Sequence, residues 1–62
     1  MTKEQRKLLA ELDVLDAAAV AASGEERGPA FELWRSFKER SDVAEALGER
    51  FRELQAAGKA PL

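Results

Sequence analysis

Leu8, Leu12, Leu15, Ala19 and Ala22 recur at a 4-3-4-3 spacing. That spacing lines one side of an α-helix and predicts a helix over residues 3–22. Leu9 and Val20 flank the stripe on one side, and Val14, Ala18 and Ala21 flank it on the other. The stretch therefore carries more apolar surface than one helix–helix seam needs. Which flank is buried stays open at this point. Thr2 and Gln5 have the spacing of a reciprocal capping box, and Ser23-Gly24 supplies the stop. A second apolar phase, Ala30, Leu33, Trp34 and Phe37, predicts a helix over 29–40, with Gly28 as N-cap and Pro29 at the first helical position. An earlier start at Ser23-Gly-Glu-Glu26 is disfavoured, because it sets Pro29 beyond the first turn and against the Glu25 carbonyl.

The third phase, Val43, Leu47, Phe51 and Leu54, predicts a helix over 42–57 that opens on an Asp42–Glu45 capping pair and ends at Gly58, with Pro61 forbidding continuation. A corner at Ser41-Asp42 is favoured over one long helix, which would splay Trp34 and Phe51 onto different faces. Gly48 sits inside the third helix, where a close helix crossing would justify it. The expected fold is all-α, a three-helix bundle of either hand occupying residues 1–62 as one domain.

Composition narrows the class. The chain has 62 residues, 45% hydrophobic and 35% charged, which is globular rather than disordered. A chain of this length buries only about 60% of the surface its unfolded form exposes. It has no cysteine and no histidine, so neither a disulfide nor a structural zinc supports it. The net charge of −2 opposes a dominant nucleic-acid role. Charge is unevenly placed: Leu8 to Glu26 holds five acids and no base, and Arg27 to Arg40 holds four bases and two acids. Complementary flanks inside one bundle account for this. No apolar run reaches the ~18 residues of a membrane span. The opening Met-Thr-Lys-Glu-Gln-Arg lacks a hydrophobic signal core, so a soluble chain is expected, cytoplasmic if natural and recombinant if designed.

Candidate chemistry is sparse. Asp13 and Asp16 share a helical face but lack further ligands for a metal. Glu45, Glu49 and Glu53 form a mildly repulsive ladder that Arg50 and Arg52 offset. Ser23, Ser36 and Ser41 have no histidine to activate them, and Gly24-Glu-Glu-Arg-Gly28 lacks the lysine and preceding strand of a phosphate loop. The expectation is a non-enzyme with no cofactor, no metal and no small-molecule substrate.

Three resemblances bear on function. Ser41-Asp-Val-Ala-Glu-Ala-Leu-Gly48 resembles the first helix of helix-turn-helix regulators, which implies a turn after Gly48 and a recognition helix beyond it. Lys3-Glu-Gln-Arg6, Glu25-Glu-Arg27 with Ala30-Phe31, Ser36-Phe-Lys38 and the stretch from Leu54 to Pro61 resemble the three-helix immunoglobulin-binding domains of staphylococcal protein A. That likeness implies shared architecture. Across its length the chain also resembles computationally designed three-helix mini-proteins, with cap chemistry at its helix ends and high-propensity filler such as Ala46-Leu-Gly-Glu-Arg. Such proteins serve mostly as binders or as bare demonstrations of a fold.

The expected function is non-enzymatic protein binding through helix faces. The first candidate surface is Phe31, Trp34 and Arg35, since tryptophan and arginine are enriched among binding hot spots. The second is Val14, Ala17, Ala18 and Ala21, a smooth face suited to docking another helix, including that of a second copy. The competing readings are a self-associating or ligand-free structural bundle and a small phage or bacterial regulator that binds DNA.

Overall fold

The computed structural model describes residues 1–58, in which three α-helices follow one another: α1 (Lys3–Ala21), α2 (Arg27–Lys38) and α3 (Ser41–Ala56). The all-α, three-helix architecture expected from the periodicity is the one observed. The predicted stop at Pro61 lies outside the described residues.

The start of α1 forms the expected capping box. The Gln5 amide donates to Thr2 Oγ1 at 3.0 Å, and the Thr2 amide donates to Gln5 Oε1 at 2.9 Å. Ala22 ends the helix in an extended conformation, and Gly24 takes the left-handed φ of +60° two residues later. At the end of α3, Gly58 adopts φ +69° directly after the cap residue and donates its amide to the Gln55 carbonyl at 2.9 Å.

Two helix starts differ from expectation. A 3-10 turn at Gly24–Glu26 leads straight into α2, which begins at Arg27 rather than Pro29. Gly28 and Pro29 are thus its second and third residues, and the chain enters at Ser23 after all, although the Ser23 side chain makes no cap bond. The proline is tolerated because the first-turn amides of an α-helix have no intrahelical acceptor, so its missing N–H forfeits nothing. The start of α3 is also shifted. Arg40 is its N-cap, and Asp42 sits in its first turn rather than capping with Glu45. The Asp42 carboxylate accepts two bonds from the Arg40 guanidinium, at 3.2 and 2.7 Å, and one from the Val43 amide at 2.8 Å.

The expected corner is present, and one residue makes it. Glu39 still has helical backbone angles, whereas Arg40 is extended at φ −62°, ψ 139° and α3 starts with the next residue. Arg40 is held from both sides: its amide donates to the Phe37 carbonyl at 3.2 Å, and its carbonyl accepts from the Ala44 amide at 2.8 Å. Its guanidinium also lies 5.1 Å from the Phe37 ring centroid. Beyond the corner, α3 runs unbroken through Gly48, so the turn implied by the helix-turn-helix resemblance is not formed.

The core is small. Leu9 and Leu12 from α1 meet Val43 and Ala46 from α3, with Met1, Leu8, Trp34, Phe37 and Leu47 partly buried around them. α1 packs on both other helices, while α2 and α3 touch little past their corner. The stripe expected of α1 is therefore only partly right. Leu12 is buried, Leu8, Leu15, Ala19 and Ala22 are half-buried, and the flanking Leu9 lies deepest. On α2, Leu33, expected inside, is 62% exposed. On α3, the stripe is covered at Val43 and then opens, leaving Phe51 51% exposed.

The result is an open shape. The Cα radius of gyration is 13.2 Å, against about 10.6 Å for a compact domain of this length. The accessible surface is 4907 Å², whereas a folded monomer of this mass exposes about 4,000 Å².

Candidate binding groove

The antiparallel pair α1 and α2 forms a groove with two ends. At one end the start of α3 closes it: Val43 and Ala46 cluster with Leu9 and Leu12, and Trp34 and Phe37 pack on that cluster. Past Trp34 the groove stays open, lined by Asp16, Ala19 and Val20 from α1 and by Arg27, Gly28, Phe31 and Trp34 from α2, with a volume of about 630 Å³.

Each lining residue has a local reason to be there. Phe31 and Trp34 are three apart on α2, which places their rings side by side. Their centroids lie 5.3 Å apart with the planes tilted by 46°, within the range favoured by aromatic pairs. Lys38, one turn on, lays its ammonium 4.3 Å from the Trp34 ring centroid. The indole is thus in contact with both an aromatic ring and a cation from its own helix. Gly28 brings no side chain to the wall, so the backbone itself lines it. Val20 is 80% exposed and Phe31 48% exposed.

Charge at the groove is balanced. Asp16 stands on one wall and Arg27 on the other. Among the described residues, neither takes part in an ion pair. A second recess, lined by Met1, Arg6, Leu9, Arg50 and Glu53, lies toward the chain start and is polar rather than apolar.

The residues singled out from sequence divide between surfaces. Phe31 and Trp34 line the groove together, whereas Arg35 turns away and pairs with Glu39 at 3.4 Å. Val14, Ala17, Ala18 and Ala21 are all exposed on a face of α1 separate from the groove lining. Val14 is 67% exposed, and no other element covers this alanine-rich face. Sequence reasoning passed over Arg27, Gly28, Val20 and Asp16 as binding residues. The signal that links them is spatial: Asp16 and Val20 are one turn apart on α1, and Arg27, Gly28 and Phe31 form one ridge on α2. Only the pairing of the two helices makes them a surface.

Asp13 stays exposed and accepts an ion pair from Arg50 across the α1–α3 contact. Among the described residues no group of three or more acidic side chains is placed to hold a metal ion, and no helix is long and apolar enough to cross a membrane. Comparison with protein-family models, with curated proteins and with solved structures finds no match.

Proposed function

We propose that this chain is a non-enzymatic protein-binding module, a mini-binder in sequence style, that docks a partner helix in the open end of the α1–α2 groove. The observation that carries this reading is the pair Val20 and Phe31, apolar and exposed, lining one groove with the half-buried Trp34. The filled end of the same groove supports the helical nature of the occupant, since an amphipathic helix already lies there. Helix-in-groove recognition uses apolar anchors one turn apart and a polar rim, and Asp16 and Arg27 provide such a rim. Arg35, paired with Glu39, lies outside the groove and takes no part in this reading, and the Val14–Ala21 face is a secondary surface.

The test compares affinity capture by the wild-type chain with capture by Phe31→Ala, both checked for equal helicity by circular dichroism. Hot-spot truncation costs about 2 kcal/mol or more, so retention should fall by roughly thirtyfold. Identical sets of retained proteins for the two chains would remove the groove as the binding surface.

A further inference from the structure

The apolar stripe of α3 is used for only half its length. Val43 is buried and Leu47 half-buried against α1 and α2, but Phe51 and Leu54, further along the same stripe, remain open, the latter at 41%. The molecule thus holds two unfinished halves of one interaction: a helix ridge without a floor, and a groove without a helix. We propose that a second copy of this chain completes both, each copy laying the Phe51–Leu54 ridge of its α3 into the Val20–Phe31–Trp34 groove of the other. This inference rests on the protein-binding reading above and names the partner.

Two observations favour a second copy over an unrelated helix. The first is continuity: the earlier part of this same α3 stripe closes the neighbouring end of the groove, with Trp34 belonging to both the filled and the open end. The second is charge. On the ridge Arg50 and Arg52 are already paired with Asp13 and Glu49, which leaves Glu53 outside the ion pairs among the described residues, and in the groove Arg27 is likewise outside them. Arg27 of one copy facing Glu53 of the other is the pairing this arrangement makes available. The exchange is reciprocal: each copy's ridge enters the groove of the copy whose ridge it receives, a two-fold arrangement that closes at two chains.

Sedimentation equilibrium on the full chain, up to millimolar concentration, tests this with two variants. Val20→Glu puts a charge into the groove and Phe51→Glu puts one on the ridge, both at exposed positions that leave the core untouched; Leu54→Glu serves in place of the latter if its helicity falls. Wild type is expected to dimerise, and each variant alone to associate about a hundredfold more weakly, because a buried unpaired carboxylate is costly. An equal mixture of Val20→Glu and Phe51→Glu retains one intact ridge-in-groove contact and is expected to recover part of the association. A wild type that stays monomeric, a Phe51→Glu chain that dimerises as wild type does, or a mixture with no recovery would each overturn the proposal. Capture separates this from the broader reading: a monomer that still retains proteins through Phe31 overturns only the second-copy inference, whereas one that retains none overturns both.

Discussion

The Arg50 guanidinium reaches the Asp13 carboxylate with both terminal nitrogens, at 3.4 and 3.2 Å, and spans 37 positions of sequence to do so. Among the described residues it is the one ion pair that ties α1 to α3. Both side chains remain well exposed to water. An exposed pair of this kind contributes about 0.2–1 kcal/mol, even with two-pronged geometry. A double-mutant cycle on Arg50→Ala and Asp13→Asn should therefore show a coupling of about that size by urea denaturation, and salt at about 1 M should shrink it. Coupling that survives high salt would place the pair in a much drier setting than observed.

Leu12 and Leu33, both expected in the interior, are separated by the structure. Leu12 belongs to a buried group of four residues, while Leu33 faces water. Cutting a buried leucine to alanine costs about 2–5 kcal/mol. A chain of this length holds only about 3–9 kcal/mol of total stability. Leu12→Ala should therefore remove about half of the folding stability, read as a markedly lower urea midpoint by circular dichroism. Leu33→Ala should stay within about 0.5 kcal/mol of wild type. Equal effects would mean that the two residues share one environment.

The contrast between those two leucines shows how far periodicity reaches. Helix existence and order were legible because each apolar phase restarts after a polar break, and the Thr2–Gln5 box was legible because a cap is a local interaction. The α2 start was misjudged because the 3-10 turn lets the chain enter at Ser23 while Pro29 remains within the first turn. Leu33, Phe51 and Val20 were harder for a different reason. Periodicity identifies the side of a helix that is apolar, but not whether a neighbour extends far enough to cover it. The corner at Arg40 starts α3 near one end of the α1–α2 pair, and that decides which apolar residues stay open. Phe31 and Trp34 could be named from sequence, since three-residue spacing places them together; the α1 wall opposite them could not.

Asp42 provides a pH-dependent element at the start of α3. Hydrogen bonds from the Arg40 side chain, chiefly, and from the Val43 amide hold its carboxyl below the usual carboxylate range. A carboxyl whose pKa is lowered by folding stabilises the folded state above its unfolded pKa of about 3.9. That contribution is lost as pH falls through the lower, folded value. Wild-type helicity should accordingly weaken below about pH 4 by more than that of Asp42→Asn, in parallel acid titrations followed by circular dichroism. The difference should be small, because the pair is exposed, and Arg40→Ala should shrink it further, leaving the part due to the Val43 amide. A stability change centred near neutral pH would point to another group.

Gly48 supplies the last prediction, and it reverses the sequence-based expectation. A mid-helix glycine is justified where another backbone passes close by, and a close crossing was expected here. In the structure, a Cβ built at Gly48 meets only the end of the Arg52 side chain, at 3.8 Å, an ordinary contact with a flexible group. Gly48 does not require a positive φ. Nothing in the fold therefore opposes a methyl group, and the glycine simply costs helix propensity. Gly48→Ala should stabilise the protein by about 1 kcal/mol. For a domain of this size that corresponds to a rise in Tm of roughly 4–8 °C. Because Gly48 lies on neither the groove nor the Phe51–Leu54 ridge, self-association should be unchanged. A destabilised Gly48→Ala chain would show that a second backbone does approach this position, in the assembled protein if not in the single chain.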